Sequence, residues 1–312
     1  MTHQTLDRIL NFVGLHYGVD RLLRDSGQRM VYLGINRANN TRVAIKTCKY
    51  AEAGVARIQR EIKILQSFNT PYFPTFDISA YITKENLREF IDGFDPKTDQ
   101  QLIHELEREN LRPFFLTVEE YIEHLPWDQV SHDLADEKRL IDFMLHIFRA
   151  MGMLWAKKIV HRDIKPDNIL VRPDFTPTLI DLGIAKSLED GATKLTAPFC
   201  GSPCTYAYAS PEQLVGPSEN VVYKSDQFSL GVVLFQILMG ELPFGNPSEA
   251  GIEETVRRMA TNERKSLGES AVKISPALAT LIDRLLEFEP YKRFRTVESI
   301  LEQLTSIKGN PQ

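Results

Sequence analysis

The octet His161-Arg162-Asp163-Ile164-Lys165-Pro166-Asp167-Asn168 gathers side chains suited to moving a phosphoryl group. That chemistry needs positioning and charge neutralisation more than covalent help from the protein. A carboxylate at Asp163 can orient a hydroxyl and accept its proton. Lys165, two residues on, can reach a transferring phosphate. The side-chain oxygen of Asn168 can ligate magnesium, a hard cation that takes oxygen ligands. A polar turn between a helix and a strand would contain these types in this order only by chance.

The octet resembles the catalytic loop of eukaryotic-type (Hanks-type) Ser/Thr protein kinases, a family also widespread in bacteria. Further segments follow in that family's order. Val43-Ala44-Ile45-Lys46 resembles the strand whose lysine holds the α/β-phosphates of ATP, and Glu61 resembles its ion-pair partner. A lone Lys-Glu pair is usually a solvated surface pair, but here Lys46 follows an apolar strand and Glu61 lies on an amphipathic stretch. Asp181-Leu182-Gly183 resembles Asp-Phe-Gly with leucine in place of phenylalanine, which implies Asp181 as a magnesium ligand beside Asn168. Ser210-Pro211-Glu212 resembles Ala-Pro-Glu. Asp226 and Arg293 match two structural anchors, and the likeness pairs Glu212 with Arg293 in a fold-holding role.

The resemblance covers about Tyr17 to Leu304. It implies an ATP-dependent protein serine/threonine kinase of two lobes, with Mg2+ and ATP between them and the protein substrate near Ser202 to Glu212. Val118-Glu119-Glu120-Tyr121-Ile122 resembles the segment joining the lobes. The backbone C=O of Glu120 and the backbone N–H and C=O of Ile122 are then the partners of adenine, and Val31, Ala44 and Leu170 sandwich the ring. From residue type alone, Val31 and Ala44 fit a core role equally well.

Two threads compete for the substrate loop. Cys200-Gly201-Ser202-Pro203 looks like the family's Cys-Gly-Thr-Pro, whereas counting back from Glu212 lands on Thr205. The spacing favours Thr205 as the hydroxyl that holds Asp163 and Lys165 in register. Arg162 precedes Asp163, and in this family such an arginine often pairs with a phosphate on the loop from Asp181 to Glu212. Thr193, Thr196 and Ser202 are therefore candidate autophosphorylation sites.

Two departures stand out. Counting back from Val31, the three glycine positions of the family's phosphate-covering loop fall on Arg24, Ser26 and Arg29, and Gly27 sits off register. Those glycines let backbone amides approach phosphates, so weak ATP binding is expected. Arg24 or Arg29 can supply charge instead, or both are solvated loop arginines. Glu119 occupies the position of an apolar or Thr gatekeeper, and a buried carboxylate is costly unless paired. The departures keep open a pseudokinase, a nucleotide-binding scaffold of kinase shape. The intact set Lys46, Glu61, Asp163, Asn168 and Asp181 argues for the enzyme. A small-molecule kinase of related fold would lack the Asp-x-Lys-x-x-Asn spacing and the Ser-Pro-Glu segment.

The elements that position these residues divide the chain. Apolar spacing predicts a short helix over Thr5 to Leu15. Met30 to Leu33 and Arg42 to Ile45 read as strands around an Asn39-Asn40 turn. A helix is expected over Val55 to Phe68, and strands over Phe76 to Ile82 and Phe114 to Tyr121. A polar insert separates those two strands, helical-looking at Gln100 to Glu109 and readable as a solvated excursion or as a docking element. Beyond Trp127 helices dominate: Lys138 to Ala156 has helical periodicity, Asn168 to Asp181 holds two short strands, and Phe228 to Met239 reads as a buried helix too short for a bilayer. The expectation is an α+β, bilobal protein-kinase fold. Its divisions are an extension over 1–16, a kinase domain over 17–304 (N-lobe 17–122, C-lobe 127–304, insert about 83–112) and a tail over 305–312.

Bulk properties agree with a globular chain of 312 residues, 43% hydrophobic and 25% charged. A net charge of −5 gives no reason to expect nucleic acid or an anionic membrane as partner. Cys48, Cys200 and Cys204 are too few for a disulfide framework and match no zinc spacing, so a cytoplasmic setting is expected. The N-terminus shows no signal-peptide pattern. Substrate identity and oligomeric state stay unread.

Overall fold

The computed structural model describes residues 1–25, 29–49, 52–95, 97, 99–109, 111–182, 186–187, 206–217 and 220–309. The chain forms two units, one of Met1–Thr70 with Pro74–Ile122 and one of Pro71–Phe73 with Glu123–Gln312.

The first unit is built on a five-stranded antiparallel sheet of order β1-β2-β3-β5-β4. Its strands are β1 (Tyr17–Asp25), β2 (Arg29–Asn36), β3 (Thr41–Lys49), β4 (Phe76–Ile82) and β5 (Phe114–Glu120). Helix α1 (His3–Phe12) precedes β1, α2 (Glu52–Leu65) follows β3, and α3 (Lys84–Asp92) and α4 (Gln100–Glu109) lie between β4 and β5. The β2–β3 hairpin turns at Asn40, whose φ of 59° is a left-handed conformation that asparagine tolerates. Gly34 lets β2 pass between its neighbours: a Cβ there would lie 2.5 Å from Ile45 and 2.6 Å from the Gly18 carbonyl oxygen.

Alternation along the strands sorts the side chains onto two faces. Tyr32, Val43, Ile45, Leu116 and Val118 join one core, together with Leu6, Ile9 and Leu10 of α1 and Leu87, Phe90 and Leu106 of α3 and α4. Thr2 caps α1 by accepting from the Thr5 N–H, and Thr83 and Asn86 form a capping box on α3. The insert is thus no solvated excursion, because its apolar residues complete the core on one side of the sheet. Phe90 meets Phe12 edge-on at 5.5 Å and Phe94 at 5.1 Å.

The second unit is mainly helical, with α5 (Trp127–Asp133), α6 (Glu137–Ala156), α7 (Pro211–Leu214), α8 (Tyr223–Met239), α9 (Pro247–Ala250), α10 (Ile252–Thr261), α11 (Pro276–Leu285) and α12 (Val297–Gly309). Helix α8 is buried nearly all round and ends at Gly240, whose φ of 72° closes the helix in the left-handed form. Two small sheets join β6 (Ile159–Val160) to β9 (Lys186–Ser187) and β7 (Ile169–Val171) to β8 (Pro177–Leu179). Among the described residues no helix is long and apolar enough to cross a membrane.

Candidate functional site

Each unit carries its own share of the predicted site. In the first, the face of the sheet opposite the apolar core is set by strand register. Lys46 lies directly across from Val31 on one side and Thr117 on the other, and Ala44 lies across from Leu33 and Glu119. Directly opposed residues share a face, so Val31, Ala44, Lys46, Thr117 and Glu119 do so. Arg29, two residues before Val31, joins them.

On that face, charge is gathered and paired. The Lys46 ammonium lies 3.4 Å from Glu61 Oε1 and forms an ion pair with Glu119. Arg29 Nη1 donates to Glu61 Oε2 at 2.9 Å. Glu61 and Glu119 are each only 3% exposed, so both carboxylates require partners, and both have them. Glu119 lies on β5 opposite Ala44, and its partner is Lys46. Arg29 is not a solvated loop arginine, because its guanidinium is turned onto Glu61.

The Glu120 N–H donates to the Thr75 carbonyl at 2.8 Å, and its carboxylate accepts from the Thr75 N–H and hydroxyl. Ile122 is buried. Arg24 lies on exposed β1 across from Val31.

In the second unit the His161–Asn168 octet runs from β6 to β7 and is anchored by Asp226. Asp226 near the start of α8 is fully buried, and burial pushes its carboxyl above the ordinary range. Its two oxygens accept from the His161 N–H (2.9 Å), the Arg162 N–H (2.9 Å) and the Trp155 indole (3.1 Å). Gln213 on α7 donates to the Arg162 carbonyl at 2.9 Å. Arg162 thereby holds a φ of 72°, a conformation that persists only where its surroundings fix it.

The loop then presents Asp163. Its Oδ2 receives the Lys165 ammonium at 2.8 Å and the Asn168 side-chain amide at 2.8 Å, and that amide also reaches the Asp163 carbonyl. Asp163 Oδ1 and Asn168 Oδ1 are both buried and accept no hydrogen bond among the described residues. Asp181 follows β8 with a φ of 63°, and Leu182 behind it is buried. The Asn168 carbonyl accepts from the Ile180 N–H at 3.0 Å and so ties the octet to the Asp181 segment. Leu170 is half-buried on β7.

The expected pair of Glu212 and Arg293 is present and bidentate, with Nη1–Oε1 at 2.7 Å and Nη2–Oε2 at 3.1 Å. Thr205, Ser202, Thr193 and Thr196 lie outside the described residues, as do Ser26, Gly27, Gly183, Cys200, Gly201, Pro203 and Cys204.

Sequence reading missed the Arg29–Glu61 pair and the role of Gln213. A signal existed for the first. A hairpin turning at Asn39-Asn40 sets Arg29 opposite Cys48, which places it on the Lys46 face.

The model of the protein kinase domain matches residues 26–304 of the chain. Serine/threonine-protein kinase pkn3 of Myxococcus xanthus is 27% identical over 98% of this chain and 52% of its own length. Serine/threonine-protein kinase PrkC of Bacillus subtilis is 26% identical over 91% of this chain and 39% of its own. Serine/threonine-protein kinase PknA of a Nostoc strain is 31% identical over 61% of this chain and 32% of its own. The chain thus spans about half the length of the first relative and about a third to two fifths of the others.

Proposed function

The chain belongs to the protein kinase family, and from that membership we propose that it transfers the γ-phosphate of ATP to serine or threonine hydroxyls of proteins. The observation that carries this reading is the asymmetry of the Asp163 carboxylate. One oxygen is held by Lys165 and Asn168, and the other is buried and accepts nothing among the described residues.

In this reading the held oxygen fixes the carboxylate's orientation. Oδ1 accepts a hydrogen bond from the substrate hydroxyl, aims its oxygen at the γ-phosphorus and takes its proton as the new O–P bond forms and ADP leaves. Lys165 reaches the transferring phosphate from its station beside Asp163. Lys46 holds the α/β-phosphates and Glu61 holds Lys46. The Glu120 and Ile122 backbone groups bind the adenine edge, and Val31, Ala44 and Leu170 cover its faces. Thr205 holds Asp163 and Lys165 in register, a role that rests on its spacing from Glu212.

The donor set suits magnesium. Asn168 Oδ1 is a hard oxygen donor, buried with no competing hydrogen bond among the described residues, and Asp181 adds a carboxylate. When bound there, the ion supplies neutralisation of phosphate charge. Asn168 has a second task that needs no metal, since its amide holds Asp163.

The reading also includes autophosphorylation at Thr193, Thr196 or Ser202 and a cytoplasmic site of action. Incubation with labelled ATP and magnesium, wild type beside Asp163→Asn, tests the central claim. Label on protein serine or threonine from wild type alone is expected. Nucleotide binding without any transfer by wild type would leave a scaffold in place of an enzyme.

A further inference from the structure

The charges around Lys46 have a pattern that the phosphate-holding role does not require. One carboxylate, Glu61, suffices to position a lysine ammonium. Here Lys46 touches two, Glu61 and Glu119, while Arg29 occupies the far oxygen of Glu61. The four formal charges sum to zero, since Arg29 and Lys46 contribute two positive charges and Glu61 and Glu119 two negative ones. The Lys46, Glu61 and Glu119 side chains are each at most 8% exposed, and that of Arg29 is 19% exposed. Water therefore screens these charges weakly, and each is felt strongly at short range.

We propose that Arg29 and Glu119 are positioning residues that set, with opposite signs, how strongly Lys46 attracts the phosphates of a nucleotide. This rests on the reading that Lys46 binds those phosphates. Glu119 draws the ammonium along the strand face and cancels part of its field. Arg29 restores the missing positive charge and keeps Glu61 Oε2 occupied, so that Glu61 meets Lys46 through Oε1 alone. At position 29, where the family's phosphate-covering loop carries a glycine, this chain places a guanidinium instead.

The pattern carries a signature that plain packing does not. Glu119→Gln leaves the cluster with one net positive charge, and nucleotide affinity rises. Arg29→Gln leaves one net negative charge, and affinity falls. The double variant is neutral again and returns toward wild type. Two structural lesions would instead each weaken binding and weaken it further together.

The test is calorimetric titration of the full chain with magnesium-ADP, which needs no phosphotransfer, with melting temperature recorded for each variant. We expect about a tenfold gain for Glu119→Gln, about a tenfold loss for Arg29→Gln, and a double variant within about threefold of wild type. Arg29→Lys, which keeps the charge, should retain most of the wild-type affinity and guards against a folding artefact in Arg29→Gln. A shift of both single variants in the same direction, or a double variant worse than either, overturns the proposal. Lys46→Met separates the layers. If it binds magnesium-ADP as wild type does, the assignment of Lys46 to the phosphates fails, and the proposal falls with it. If it binds weakly while the Arg29 and Glu119 variants stay at the wild-type value, only the proposal falls.

Discussion

The two units treat their polar groups in opposite ways. On the sheet face of the first, Arg29, Lys46, Glu61 and Glu119 close upon one another, each within reach of an opposite charge. In the His161–Asn168 loop of the second, Asp163 and Asn168 share two hydrogen bonds and each keeps a buried oxygen that accepts nothing among the described residues. A closed set resists change in both stability and ligand response, because anything that arrives must compete with partners already present. An open oxygen costs desolvation in the folded chain and repays it only when a proton donor or a cation comes. The first arrangement is the one proposed to tune an affinity, and the second the one proposed to carry the reaction.

The largest effect should come from the open half. Asp163→Asn removes the proposed proton acceptor while keeping shape, and transfer to protein should fall about a thousandfold with the melting temperature nearly unchanged. A variant that loses stability along with activity would mean that Asp163 is part of the closed scaffold instead.

Within the same unit, Glu212 and Arg293 form a closed pair with almost no exposure. Glu212→Ala leaves the guanidinium buried and should cost about 4 kcal/mol in denaturant unfolding. A loss under about 1 kcal/mol would erase the distinction between closed and open groups.

Glu61→Gln breaks the closed set of the first unit but leaves Glu119 against Lys46 and an amide oxygen near Arg29. A smaller stability loss of about 2 kcal/mol is expected, together with a clear fall in transfer rate.

How much of this is legible in the sequence follows from distance along the chain. The octet and the strand bearing Lys46 declare themselves because their chemistry lies within eight residues. The strand Phe76–Ile82 and the helix Gln100–Glu109 have the bounds that the sequence suggested. The pairing of Arg29 with Glu61 spans 32 residues and depends on register across β2 and β3, which no local pattern states. Glu119 was suspect from type alone, and its partner emerged only once β5 was laid against β3. The insert misled through its charges. Leu87 and Phe90, three apart, carried the signal that one face of α3 is buried.

The smallest prediction concerns Tyr17, whose hydroxyl donates to Asp77 Oδ2 at 2.8 Å within the first unit. Burial, and then that hydrogen bond, push its pKa up from 10.0 to about 12. The folded chain therefore holds the proton more tightly than the unfolded one. The resulting stability is complete below pH 10 and drains away as pH rises toward about 12. Tyr17→Phe should cost about 1 kcal/mol at neutral pH. The gap between variant and wild type should narrow above pH 10 in denaturant titrations, and a gap that stays constant would separate the hydroxyl from the effect.

The core of the first unit also bears on where the chain can be cut. The family match starts at residue 26, after α1 and all of β1. Yet Leu6, Ile9 and Leu10 have no exposed surface, and they belong to the same core as Tyr32, Ile45 and Leu116. A gene fragment trimmed to the match would lose one edge of the sheet and uncover an apolar flank of the rest. Such a fragment is expected to clump with its own copies. The first two dozen residues are thus part of the machine's housing, and a shortened version meant for crystals or screens should keep them.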